Sequence, residues 1–138
     1  MSVKFEKFLI SSKGFDDVID ITSKVQNIVS LFDIENAIAN IFSLSSCTSL
    51  ITMDSEPNLA YDLAKILESI VPINKVYQHD NFWHDGNAYS HLRASILGNN
   101  ITLPVIGGKI MLDSYQQIVM IDFDNKPSQR QIIVTVTD

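Results

Sequence analysis

Polar and apolar residues alternate with a period of two near the start of the chain and again in its last third, while the middle carries helical stripes. Residues 3–10 interleave Val, Phe, Leu and Ile with Lys and Glu, which predicts a half-buried strand ended by the Ser11-Ser-Lys-Gly14 turn. Residues 18–21 predict a second, shorter strand. Thr22 is then placed as the N-cap of a helix whose stripe is Val25, Ile28, Val29 and Phe32. Residues 37–44 and 48–53 read as strands on either side of the polar Ser45-Ser-Cys47 link. Asp54-Ser-Glu56 before Pro57 opens another helix, because carboxylates suit the positive end of a helix and proline suits its first turn. Leu59, Leu63, Ile66, Leu67 and Ile70 form the predicted buried face of that helix, and Pro72 stops it.

A shorter helix is expected over residues 87–97, closed by Gly98. The remainder predicts strands at 101–105, 109–112, 116–123 and 131–136. Their separators, Gly107-Gly108, Asp113-Ser114 and Asp124-Asn-Lys-Pro127, are turn chemistry and imply antiparallel neighbours. Seven to eight strands with about three helices in mixed order define an α+β class with two packed, mainly antiparallel sheets. The last strand, Ile132-Ile-Val-Thr-Val136, is apolar on both faces, so it is either central in its sheet or covered by another subunit. No repeat, low-complexity tract or linker divides residues 1–138.

Composition narrows the classes. Hydrophobic residues make up 46% and charged residues 19%, enough apolar material for a core without cross-links. The single cysteine, Cys47, excludes an internal disulfide framework and fits a reducing compartment. A net charge of −6 with ten Lys and Arg makes a nucleic-acid backbone a poor partner. No apolar run approaches the roughly 20 residues that span a bilayer, and the first residues do not read as a signal peptide. A cytoplasmic location is therefore expected, with neither nucleic acid nor membrane as a partner.

All three histidines, His79, His84 and His91, fall in one window that also holds Asp80, Asp85 and Asn87. Carboxylates beside imidazoles fix a tautomer and free the other ring nitrogen for a substrate or a metal. On a helix over 87–97, Asn87, His91 and Ser95 share one side. The spacing of the histidines matches no standard zinc motif. It admits zinc or another divalent metal on His79, His91 and one carboxylate without demanding one, and an anion such as sulfate, phosphate or a carboxylate fits the same pocket. Cys47 among Ser45, Ser46, Thr48 and Ser49 is either a buried structural thiol or a nucleophile activated by a nearby imidazole. Phe82 and Trp83 read as core or subunit contacts. Arg93 and Arg130 read as ion-paired or solvated, with phosphate binding the functional alternative. Gly107-Gly108 lacks the rest of a phosphate loop, and no dinucleotide fingerprint is present.

The stretch Tyr77-x-His79-Asp80, then Asp85-x-Asn87-Ala88-x-x-His91-Leu-Arg-Ala-Ser95-x-x-Gly98, resembles the core motif of the YjbQ-like family, also called secondary thiamine-phosphate synthase. Weaker likenesses extend across the chain at Ile21-Thr22, residues 48–54, Leu103-Pro104, Gly108, Gln116 and Phe123-Asp124. The resemblance implies an α+β sandwich that assembles as a homotrimer with pockets between subunits. It implies catalytic roles for His79, His91 and Asp85. Contacts to a small phosphorylated ligand are expected from Ser46, Thr48, Asn87, Arg93, Gly98 and Gln116. The implied activity joins a pyrimidine diphosphate to a thiazole phosphate. The family's His-Thr-Thr stands here as Ser46-Cys47-Thr48, so one of its imidazoles is missing. The rival reading is therefore a catalytically degenerate member that binds a metabolite or metal, or serves as an oligomeric scaffold.

Overall fold

A computed structural model describes residues 1–138. Strand β1 (Val3–Ser12) and the short β2 (Asp17–Asp20) lead into helix α1 (Thr22–Leu31), followed by β3 (Asn36–Ser43) and β4 (Thr48–Met53). Helices α2 (Pro57–Ile70), α3 (Gln78–Trp83) and α4 (Ala88–Leu97) come in succession. The chain ends with β5 (Asn100–Ile106), β6 (Lys109–Ile110), β7 (Gln117–Asp122) and β8 (Ser128–Thr137). All pairings are antiparallel, in a five-stranded sheet β1-β8-β3-β5-β6 and a three-stranded sheet β2-β7-β4.

Between the sheets, Ile132, Val134 and Val136 of β8 and Ala39 and Ile41 of β3 meet Leu50, Ile118 and Met120 from the second sheet, together with Val25, Ile28 and Val29 of α1. Each Val, Leu, Ile and Met side chain among them contributes about 1.5–3 kcal/mol by leaving water. Alternate residues of β7, Val119 and Ile121, face the other way, against Leu67 of α2 and Ala94 of α4. That double burial explains the unbroken apolar run of β7. It also seats α4, the helix carrying His91, directly on the three-stranded sheet. The last strand is central, between β1 and β3.

Several expectations need correction. Thr22 is the first helical residue rather than the cap. Its hydroxyl donates to Asp20 (2.6 Å) and accepts the Ile118 N–H (2.9 Å), so it ties α1 to β7. Glu56 does cap α2, accepting from the Asn58 and Leu59 N–H groups. Of the predicted α2 face only Leu67 is buried, while Leu59, Ile66 and Ile70 are exposed because only one edge of the helix meets the sheet. A fourth helix, α3, stands where none was predicted; it buries no residue and so has no apolar stripe to read. Gly107-Gly108 makes the expected hairpin, pairing Ile106 with Lys109, with both φ positive. The next two separators instead carry the chain from one sheet to the other, so they do not join antiparallel neighbours.

Candidate functional site

α3 and the first half of α4 bring the histidines together. Asp80 accepts the Ala88 N–H (3.1 Å), fastening α3 to the start of α4. His84 closes α3 in the left-handed conformation (φ 58°). The turn thus made sets the His79 and His91 rings edge to face, with centroids 4.8 Å apart. His79 Nε2 lies 3.4 Å from Asp85 Oδ1. The pair is off hydrogen-bond geometry, and Nε2 itself is out of contact with solvent. His84 takes no part.

His91 Nδ1 is 3.2 Å from the Ser46 carbonyl and 3.7 Å from Cys47 Sγ. A carbonyl can only accept, so Nδ1 carries a proton, and the lone pair of the neutral ring resides on Nε2. His91 therefore stands at the junction of two clefts. One, of about 390 Å³, is walled by Ser45, Ser46, Thr48, Ser95, Gly98 and Asn99. The other, of about 320 Å³, is walled by Tyr77, Gln78, His79, Ala88 and Leu92. One imidazole reached from two sides can exchange a proton with a ligand that bridges them.

The remaining expected site residues divide. Ser46, Thr48 and Gly98 line the hydroxyl-rich cleft, although the Thr48 hydroxyl is already paired with Ser43 at 2.6 Å. Asn87 is buried; its amide donates to Asp124 (3.2 Å), and its own Oδ1 has no partner. Arg93 does not reach a ligand. It is fully buried and its donors are taken by Asp16, Glu68 and the Val71 carbonyl, so the phosphate-holding role expected of it is withdrawn. Gln116 is also misplaced. Gln117 pairs with Met53 while Thr48 pairs with Asp122, so within one chain Gln116 is roughly 20 Å along the sheet from the histidine end. Its side chain instead accepts the Asp113 N–H. Phe82 and Trp83 are exposed, so they are not core. Cys47 is buried, and burial pushes its thiol up, against a nucleophilic role.

Beneath α4, Arg130 is ion-paired, one of the two roles its sequence context allowed, in a cluster with Asp122 and Asp124. Arg130 donates to Asp122 (2.7 and 3.2 Å) and Asp124 (2.9 Å), both buried carboxylates. Burial alone would raise Asp124, but the Asn87 amide, the Asn125 N–H and the Arg130 guanidinium together hold it below the usual range. Because Asn87 immediately precedes α4, this buried ion cluster anchors the helix that presents His91. For a metal, the close donor set is His79, Asp80 and Asp85, whose ligand atoms lie within 4.8 Å of one another. It differs from the expected His79 and His91 pair by replacing one imidazole with carboxylates.

Fold and site together define an antiparallel two-sheet α+β protein with a histidine-centred double cleft. The chain belongs to the UPF0047 protein YjbQ-like family, whose model matches residues 6–138. It is 38% identical over 120 residues to a UPF0047 protein of Methanothermobacter thermautotrophicus, covering 87% of this chain and 82% of the relative. A UPF0047 protein of Archaeoglobus fulgidus is 35% identical over 118 residues, covering 86% and 89%. Among solved structures, a YbjQ-like protein of unknown function from Sulfolobus solfataricus P2 superposes with a TM-score of 0.91 at 28% identity, covering 98% of this chain and 96% of that one. A hypothetical protein from Aeropyrum pernix K1 shares the fold, with a TM-score of 0.89 at 22% identity and 97% and 98% coverage.

Proposed function

We propose that this chain is a transferase of the thiamine-phosphate synthase kind, acting on small phosphorylated heterocycles with His91 as the proton-transferring group. One observation carries the reading: His91 lines both clefts while its Nδ1 is held against the Ser46 carbonyl at 3.2 Å, which leaves Nε2 as the nitrogen for proton transfer. A reaction that joins two molecules needs such a meeting point. The thiazole nitrogen attacks the pyrimidine methylene carbon, the C–O bond to pyrophosphate breaks, and doubly protonated His91 gives its Nε2 proton to the departing pyrophosphate. His79, whose ring packs edge to face against His91, supports that transfer. Phosphate is held by the hydroxyls of Ser45 and Ser46, since Thr48 and Arg93 are committed elsewhere. The test is thiamine phosphate formation by purified protein. His91→Ala should lower the rate about 10²–10⁴-fold, and wild-type product no higher than this variant's would refute the activity.

A second reading is favoured by the donor set around His79. One imidazole and two carboxylates fit zinc or another divalent cation, which would supply Lewis acidity beside the cleft. The fit is incomplete, because Asp80 also holds the Ala88 N–H. Elemental analysis of native protein beside His79→Ala decides it: near-stoichiometric metal lost in the variant supports this reading, and no metal in either ends it.

A homotrimer is part of the proposal. Register places Val3, Thr137, Ile38 and Pro104 in one row across the outer face of the five-stranded sheet, with Phe5, Thr135, Asn40 and Thr102 in the next. Val3, Phe5, Leu9 and Ile38 are exposed there among threonines, Asn40 and Lys7, a mixed face that another subunit could cover. Location in the cytoplasm is likewise proposed; no helix of the chain is long and apolar enough to cross a membrane.

A further inference from the structure

Arg93 is the largest fully buried side chain in the molecule, yet nothing it touches belongs to either cleft. Its Nη1 donates to both carboxylate oxygens of Asp16 (3.2 and 3.4 Å), in the turn between β1 and β2. Its Nη2 donates to Glu68 on α2 (2.7 Å), and Nε and Nη2 both donate to the Val71 carbonyl (3.1 and 2.9 Å) just past that helix. The Tyr89 ring lies beneath the guanidinium carbon, 5.4 Å from its centroid. A planar fork with fixed donor directions is needed to serve three such partners at once; a lysine ammonium cannot do so.

What it ties together matters more than the ties themselves. Arg93 is two residues beyond His91, on the opposite side of α4. Val71 begins the connection that runs, through the Tyr77 hydroxyl bonded to the Pro72 carbonyl (2.7 Å), into α3 and His79. The same guanidinium thus holds the helix that carries one histidine and the root of the segment that carries the other. Its third anchor is costly to build. Gly14, Phe15 and Asp16 follow one another with φ of 72°, 55° and 62°, and strain of this kind persists only where surrounding contacts over-determine it. Here the Phe15 N–H bonds to the Asp124 carbonyl (2.8 Å), so the turn is pinned from the Arg130 cluster as well as from Arg93.

We propose that Arg93 is a positioning residue which sets the rotation of α4 against the α2–α3 connection and so fixes the contact between the His79 and His91 rings. The inference rests on the reading of these histidines as the working pair, but its test does not depend on turnover. Arg93→Met is compared with Val29→Ala, a core variant remote from the histidines, in two-dimensional NMR at a temperature where both are folded. The expected result is loss of the His79–His91 ring cross-peak and of the protonated Nδ1 signature of His91 in Arg93→Met, both retained in Val29→Ala. Arg93→Lys, which restores charge without the fork, should recover them only in part. Unchanged cross-peaks and Nδ1 signal in Arg93→Met would overturn the proposal and leave Arg93 a stability residue. If that variant does not fold, Asp16→Asn with Glu68→Gln removes both charges while keeping shape, and the same two outcomes apply. Absence of thiamine phosphate formation in wild type, with the cross-peak still dependent on Arg93, would remove the activity and keep the positioning role.

Discussion

Asp122, Asp124 and Arg130 are charged residues withdrawn from water, and their mutual hydrogen bonds offset the cost of that withdrawal. Removing one partner should be costly: Asp122→Ala is expected to lose about 1–3 kcal/mol in denaturant unfolding, because a half-buried guanidinium keeps only its Asp124 partner. Asp124 adds a pH dependence. Its carboxyl is held below the ordinary 3.8, so the folded state binds fewer protons than the unfolded state. Its contribution is complete above that ordinary value and is lost as pH falls through the lowered one. The stability gap between wild type and Asp124→Asn should therefore be constant near neutrality and shrink below about pH 4; a gap independent of pH would contradict it. Cys47 gives a simpler test. With its thiol buried and pushed up by desolvation, it should react with a thiol reagent only as fast as the chain unfolds, and rapid labelling of native protein would contradict this. The histidine window was legible because titratable groups crowded there. The ion cluster was legible only in hindsight: Asp122 and Asp124 stand two apart at the end of an otherwise apolar strand, a polar break at strand period.

At the scale of elements, β1 and β3 were readable from alternation because the five-stranded sheet has one core side, whereas β7 was readable as an apolar run because both its faces are buried. α3 escaped because a short helix with no buried face carries no periodic signal. The exposed side of α2 escaped for the opposite reason: its stripe is real, but one chain covers only part of it. Turn glycines separate cleanly on geometry. A Cβ on Gly14 would sit 2.6 Å from the Lys126 carbonyl oxygen and 2.7 Å from that of Asp124, at a φ of 72°. At Gly107 a Cβ meets nothing. Gly14→Ala should therefore destabilise by more than the roughly 1–2 kcal/mol expected for left-handed backbone alone, whereas Gly107→Ala should stay near that figure. Equal losses in thermal unfolding would show that the Gly14 turn yields more easily than its contacts with the 124–126 segment imply.

For the whole molecule, the class, the two sheets and the family were accessible from the chain; the internal use of Arg93 and the distance of Gln116 from the histidines were not, because both depend on which elements the fold stacks together. The outer face of the five-stranded sheet carries the proposed trimer. Phe5→Glu, on the exposed face of the edge strand β1, should convert the wild-type assembly to monomer in sedimentation velocity, and a wild type that is already monomeric would refute the subunit interface. The clefts on either side of His91 can be probed most directly by calorimetric titration with inorganic pyrophosphate, the group expected to leave. One site per chain is expected, with affinity at least tenfold weaker in His91→Ala, equivalent to about 1.4 kcal/mol, and unchanged in Gly107→Ala. Equal affinity in wild type and His91→Ala, or no binding to either, would contradict this.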